Sequence, residues 1–345
     1  MTTPLTIDGT QGEGGGQVLR TAIALSAISG RAVEIDGVRG GRAKPGLKRQ
    51  HLTGLLAVAE ICGAKVEGAK LNSQHVVFRP GPIEAGDYSF AIGTAGSTAL
   101  VLQTVLPVLA HASGPSTVRV SGGTHNMNAP SVDYLARAFL PLWRRMGLVC
   151  ELELVRHGFH PAGGGVVDAR VEPWTQHRAL TLLSRDNTRP PRARVLSANL
   201  PERIAARELS VIQTQLGVAD ERAEIVLVDA AGPGNAMIVE IESDTVTEQF
   251  TEHGQHGVRA ESLAKRLSRE ARAYLASDAP VGEHLADQLL LPMALGAGGA
   301  FRCTELSLHT RTNMDVIRAF GLADFHTEQL ARKLWHVEVT PKRVG

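Results

Sequence analysis

One block of sequence recurs along this chain: a short apolar strand, a loop of small residues, a helix, a second strand and a second loop rich in glycine. In its first copy, residues 5–7 read as the strand and 9–16 as a glycine-dominated loop. Residues 17–29 are apolar at helical spacing, with Val18, Ala22, Leu25 and Ile28 on one face. A strand over 32–35 ends in Arg39-Gly40-Gly41-Arg42-Ala43-Lys44-Pro45-Gly46. A helix over 47–61 follows, stopped by Gly63, and two strands near Lys65 and Val76 close the unit. The second copy runs strand 89–92, loop Gly93-Thr94-Ala95-Gly96-Ser97, helix 100–111, strand 117–120, loop Gly122-Gly123-Thr124-His125-Asn126 and helix 132–146. The two double-glycine loops lie ~80 residues apart, the signature of an internal repeat.

A more degenerate third copy sits near the C-terminal end. It reads as helix 285–295, small residues Gly296 to Gly299, strand 301–308, polar loop His309-Thr310-Arg311-Thr312-Asn313 and helix 314–320. Between the second and third copies, residues 186–277 carry their own rhythm of strands and helices. They are entered through the polar, proline-containing run Asp186-Asn187-Thr188-Arg189-Pro190-Pro191. The expectation is an α/β (α+β) chain in which 1–185 and 278–345 form a large repeat domain and 186–277 a smaller inserted α/β domain. Like loops fall at like positions if the copies pack about a pseudo-threefold axis.

Composition narrows the function. The 345 residues are 43% hydrophobic and 21% charged, enough for a packed core and too apolar for general disorder. Aromatics are only 4%, so a stacking platform for many bases is not expected. Net charge is +1, from 36 Lys and Arg against 35 Asp and Glu, which argues against a nucleic-acid coat protein. Basic charge is instead local, in Arg39, Arg42, Lys44, Lys48 and Arg49, and suits a single phosphate-bearing end. The three cysteines, Cys62, Cys150 and Cys303, are far apart and form no CxxC pair, so neither a zinc site nor a disulfide framework is suggested. The N-terminal run lacks the layout of a signal peptide, and no apolar run is long enough to span a bilayer; a cytoplasmic protein is expected.

Several loops could carry chemistry. Gly12-Glu13-Gly14-Gly15-Gly16 precedes a helix, where backbone amides and the helix N-terminus can hold phosphates. No GxxxxGK[ST] loop exists in the chain. Glu13 is out of place among phosphate-binding amides unless a divalent cation bridges the carboxylate and the phosphate; the plainer alternative is an exposed loop acid. Arg39, Arg42 and Lys44 could clamp a terminal phosphate, or be a solvated charge run. Gln50 and His51 lie one turn further on. His157 and His160, in His157-Gly158-Phe159-His160-Pro161-Ala162-Gly163-Gly164-Gly165, lack an evident third metal ligand and read as structural. His309 is one of 13 histidines. It stands out by its place at the strand end of the third copy, where the first copy carries its basic loop. An imidazole nucleophile needs one unprotonated nitrogen near neutral pH and an acceptor holding the other; the sequence does not name that acceptor.

Together the Asp8 to Gln17 loop, the Arg39 to Gly46 loop, the His157 to Gly165 segment, Gly282-Glu283-His284-Leu285-Ala286-Asp287-Gln288 and His309 resemble the RNA 3'-terminal phosphate cyclase family, over essentially the whole chain. The resemblance implies three βαβαββ repeats with an inserted domain. It implies ATP and a divalent cation (Mg²⁺ or Mn²⁺), RNA 3'-phosphate ends as substrate, and a covalent AMP on His309. By position, Glu13 is the metal ligand; Arg20, Arg39, Arg42, Gln50 and His51 line the phosphate site; Gln103, Pro130, His284, Asp287 and Gln288 form the adenylate pocket. His284 stands where some relatives carry a tyrosine for adenine stacking, which offers more area than imidazole. A homodimer stays open. Two rivals share the fold: a non-catalytic binding relative active in ribosome assembly, which lacks the nucleophilic histidine, and the enolpyruvyl transferases, which form no nucleotide adduct.

Overall fold

The computed structural model describes residues 3–342 as a mixed α/β protein built on four four-stranded sheets. The first unit runs β1 (Leu5–Asp8), α1 (Gly16–Ser29), β2 (Val33–Asp36), α2 (Arg49–Ile61), β3 (Lys65–Glu67) and β4 (His75–Arg79). Its sheet order is β1-β2-β4-β3, with β1 parallel to β2 and the other pairs antiparallel. The second unit runs β5 (Asp87–Ala91), α3 (Thr98–Leu109) and β6 (Ser116–Gly122). Then α4 (Val132–Tyr134) passes through a π-helical turn (Leu135–Phe139) into α5 (Leu140–Arg145), before β7 (Cys150–Arg156) and β8 (Gly165–Val171). Its order β5-β6-β8-β7 repeats the first, again with one parallel pair followed by antiparallel ones.

The third unit starts at β9 (Leu180–Leu182) and is then interrupted. The interposed unit is β10 (Arg192–Ala198), α6 (Glu202–Leu216), β11 (Ala223–Leu227), β12 (Gly234–Glu242), β13 (Thr247–His253) and α7 (Ala260–Leu275), with sheet order β11-β10-β12-β13. The third unit resumes with α8 (Glu283–Leu295), β14 (Gly299–Cys303), α9 (Leu308–Ala319), β15 (Ala323–Ala331) and β16 (Leu334–Pro341). Its sheet, β9-β14-β16-β15, has the same order and strand senses as the first two.

Burial follows this division. One apolar core joins all three repeated units, from Ile7 through Trp143 and Phe301 to Val339. A second core lies within the interposed unit, around Val195, Ile212, Val239 and Leu267. Val246, in the turn between β12 and β13, packs into the main core instead. The two chain crossings are tied together by Arg185, whose guanidinium donates to the carbonyls of Tyr274, Leu275 and Ser277. The donated hydrogen bonds serve the last two carbonyls of α7, Tyr274 and Leu275, and that of Ser277 just beyond it. Among the described residues no helix is long and apolar enough to cross a membrane.

Serines start the helices that matter for the site. Ser97, Ser131 and Ser307 cap α3, α4 and α9, each hydroxyl accepting a backbone N–H three residues on. The last of these corrects the sequence reading at the third copy. The strand expected over 301–308 ends at Cys303, and the polar run from His309 to Asn313 is the opening of α9 rather than a loop. Its two threonines weaken helix propensity, but the Ser307 cap fixes the first turn.

Candidate active site

Three helix starts meet at one place: α1 packs on α9, and α9 on α8. His309 is the second residue of α9, Gln17 the second of α1 and Asp287 the fifth of α8. The Gln17 amide nitrogen donates to Asp287 Oδ1 at 2.5 Å, and its oxygen faces His309 Nδ1 at 3.1 Å. A carboxylate accepts only, so Gln17 must present its NH₂ to Asp287 and its carbonyl to the imidazole. His309 Nδ1 therefore carries the proton and donates to Gln17, and the lone pair is left on Nε2. Asn313, one turn along α9, steadies the same carboxylate: its Nδ2 donates to Asp287 Oδ1 and to the Asp287 carbonyl, both at 3.1 Å. Thr21 Oγ1 in turn donates to Asn313 Oδ1 at 2.8 Å.

Electrostatics keep the free nitrogen free. Partial burial lowers the His309 pKa from its ordinary value, and the nearby Arg42, His284 and Arg20 lower it further. The ring remains reachable, with 47% of its side chain exposed. Its Nε2 lies 3.6 Å from Glu13 Oε1. The Glu13 side chain is only 9% exposed, so the alternative of an exposed loop acid is corrected. Its Oε1 is paired with the Arg42 guanidinium, and its Oε2 has no hydrogen-bond partner among the described residues.

The glycine loop lies against α9. The Glu13 N–H donates to Thr312 Oγ1 at 3.0 Å, and a Cβ on Gly12, whose φ is +60°, would meet that hydroxyl at 2.1 Å. A side chain at 12 is thus excluded both by backbone conformation and by contact. Arg20, one turn into α1, is half-buried; desolvation brings its guanidinium down to about 10, against the pull of Asp287. His51 is buried at the start of α2, with Nδ1 accepting the Lys48 N–H at 3.3 Å, as in a capping box. Burial and the cations Arg20, Arg39, Lys48 and Arg42 push it down to about 3, so it is neutral at physiological pH.

The remaining expected residues are spread around this centre. Gln50 Oε1 accepts the Ser97 N–H at 2.9 Å, joining α2 to the start of α3. Arg39, at φ +56°, donates to the carbonyls of Lys44 and Gly46 and so braces its own loop. Arg39, Gln50 and His51 share a cleft of about 370 Å³ with Lys48, Arg49 and Thr94. His284 is exposed on the first turn of α8, and Gln288 has a buried Oε1 without a partner. Pro130 is half-buried beside the Ser131 cap, and Gln103 half-buried on α3, which packs on α1. Among the described residues Gln103 makes no hydrogen bond to the His309 cluster. Sequence reasoning missed Gln17 as the histidine's partner and Asn313 and Thr312 as supports. Their contacts span the chain, and no local pattern announces them.

A second histidine network lies where the interposed unit meets the second repeat. His125 Nε2 is 2.9 Å from Asp133 Oδ2, and its Nδ1 2.9 Å from Thr124 Oγ1. Asp133 Oδ1 accepts from Arg194, which also reaches Glu240; Arg137 and Gln249 donate to Glu240 as well. Burial works to raise the Asp133 carboxyl, but His125 and Arg194 hold it well below the usual range. His157 stacks on His125 at 5.5 Å between ring centres.

Comparison with known proteins places the chain in a family. The family model described as RNA 3'-terminal phosphate cyclase matches residues 11–327. A protein named RNA 3'-terminal phosphate cyclase from Salmonella agona (strain SL483) is 49% identical over 341 residues, covering 99% of this chain and 98% of that protein. One of the same name from Salmonella paratyphi C (strain RKS4594) has the same identity and coverage. A mixed α/β scaffold that sets a partly exposed histidine beside a buried carboxylate and a glycine loop is the class that fold and site define. The chain belongs to the RNA 3'-terminal phosphate cyclase family. A solved structure of the enolpyruvyl transferase NikO from Streptomyces tendae aligns with a TM-score of 0.29 at 15% identity, over 50% of this chain and 33% of that one, too weak a likeness to carry an argument.

Proposed function

We propose that this protein is an ATP-dependent ligase that converts RNA 3'-phosphate ends to 2',3'-cyclic phosphodiesters through an adenylated His309. The observation that carries the reading is the hydrogen bond of His309 Nδ1 to Gln17 Oε1, since it leaves Nε2 unprotonated, exposed and beside a phosphate-suited loop. Nε2 attacks the α-phosphorus of ATP; an N–P bond forms as the bond to pyrophosphate breaks. An oxygen of the RNA 3'-phosphate then displaces His309, giving an RNA-(3')pp(5')A linkage. The adjacent 2'-hydroxyl attacks the RNA phosphorus, loses its proton to solvent and expels AMP as the ring closes. The last attack is intramolecular, so proximity supplies much of its rate. The protein's part is alignment and charge neutralisation.

Glu13 fits a divalent cation. Both of its oxygens are buried; Oε1 is paired with Arg42, and Oε2 has no hydrogen-bond partner among the described residues. Glu13 would hold a Mg²⁺ or Mn²⁺ ion, which would neutralise phosphate charge there. Arg42 would then be released towards phosphate, joining Arg20 and the cleft of Arg39, Gln50 and His51. His284, Asp287, Gln288, Gln103 and Pro130 are assigned to the adenylate pocket, Asp287 in addition orienting Gln17.

The test is an RNA oligonucleotide bearing a 3'-phosphate, incubated with protein, ATP and Mg²⁺ or Mn²⁺. The expected result is an end resistant to phosphomonoesterase, with one AMP and one pyrophosphate released per end. ATP consumption with the end left phosphatase-sensitive under both metals would contradict the reading.

A further inference from the structure

The start of α8, which carries His284, Asp287 and Gln288, lacks a cap of its own. Its N-cap residue is Gly282, without a side chain, and the third helical residue, where a capping box would place Glu or Gln, is Leu285. The missing group comes from the interposed unit. Glu248, on β13 and 2% exposed, accepts the Gly282 N–H at 2.7 Å. This is the bond that the acid of a capping box makes, supplied from a residue 34 positions away. The contact also explains the glycine: a Cβ at 282 would meet the Glu248 carboxyl atoms at 2.8–3.1 Å.

The neighbouring residue holds a second wall. Gln249 accepts from the Ser131 hydroxyl at 3.3 Å and donates to Glu240 at 2.9 Å. Ser131 caps α4 and follows Pro130 directly. Two consecutive residues of β13 therefore reach the two segments, around Pro130 and from Gly282 to Gln288, that are assigned to the nucleotide.

We infer that Glu248 is a positioning residue for adenylation: the interposed unit caps α8 from outside and so fixes the helix start that contacts ATP and, through Asp287 and Gln17, orients His309. This rests on the adenylation reading above. A capping bond of this kind restrains the first turn, where the nucleotide would lie, more than it supports the distant core.

The test measures hydrogen–deuterium exchange across residues 279–290 together with the ATP dependence of adduct formation. Glu248→Ala should lose protection at the first turn of α8 and raise the KM for ATP about fivefold, the size a lost helix cap gives, with kcat for adduct formation falling less. Glu248→Gln keeps an acceptor oxygen and should restore both. If the alanine variant does not fold, Glu248→Met, which fills the volume without an acceptor, takes its place. Unchanged protection, a lost cap with unchanged KM, or a glutamine variant as impaired as the alanine variant would each overturn the inference. If the wild-type protein forms no AMP adduct at all, the adenylation reading fails instead, while the exchange arm still reports on the cap.

Discussion

His309 and His125 occupy comparable places and are used in opposite ways. Each follows the second strand of its repeat, His125 after β6 and His309 after β14. Both nitrogens of His125 are engaged, one by Thr124 and one by Asp133, and its side chain is fully buried. His309 has one nitrogen held by a neutral amide and the other open beside Glu13 and Arg42, with nearly half of the side chain exposed. One repeat has spent its histidine on joining two units; the other has kept an imidazole nitrogen available. The glutamine carbonyl fixes the His309 tautomer without adding charge beside the ring. The carboxylate behind Gln17, Asp287, is kept one residue away from the ring.

The largest expected effect separates the two rings outright. His309→Ala should lower adduct formation by at least about three orders of magnitude, as removal of a covalent nucleophile does. Its unfolding free energy should stay within about 0.5 kcal/mol of wild type. His125→Ala should retain the adduct chemistry yet lose about 3 kcal/mol of stability, because Asp133 would be left buried with only Arg194. Equal losses of stability in the two variants would erase the contrast.

Next in size is the partner. Gln17→Leu removes both the acceptor for Nδ1 and the donor to Asp287, and should slow adenylation ~10–100-fold, the range seen when an orienting group behind a reactive imidazole is lost. An unaltered rate in single-turnover labelling would show that the tautomer is set by something else.

A smaller effect lies in pH. The depressed His309 pKa means that Nε2 stays unprotonated as the pH is lowered through the ordinary imidazole value of 6.5. Adenylation should therefore hold level across that value and fall only below it. A rate already halved at 6.5 would contradict the depression.

The smallest effect is a control within the interposed unit. Burial raises the Glu208 carboxyl to about 7, against a hydrogen bond donated by Asn235 and the charge of Arg207. The folded state then holds a proton that the unfolded chain has released between about 4.5 and 7. Stability from this group is present at low pH and lost as pH rises through that window. Glu208→Gln should flatten the fall in Tm between pH 5 and 8 by a few degrees without touching the adenylation profile. A shift in the adenylation profile would tie the two units more closely than the comparison of histidines allows.

How much of this is legible in the sequence depends on range. The strand–loop–helix blocks were readable because their apolar periodicity and glycine loops are local, and the boundaries of α1 fall within a residue of expectation. β13 and β9 escaped notice, the first because Glu248 and Gln249 are polar yet buried, the second because it is three residues long. The start of α9 was misread because Thr310 and Thr312 argue against a helix, while the Ser307 cap argues for one and wins. Glu13 and His309 stood out by residue type and place. Gln17 did not, since an ordinary helix position becomes functional only when α9, almost three hundred residues later, is laid beside it. Glu248 is hidden for the same reason.

The claim on which the account stands is that His309 Nε2 takes the nucleotide. Peptide mapping by mass spectrometry after incubation with ATP and Mg²⁺ or Mn²⁺ tests it most directly. The account predicts a single added AMP, on the peptide containing His309, lost in acid and retained in base. An AMP carried by any other residue, or no added mass with either metal while RNA ends are still cyclised, would contradict it.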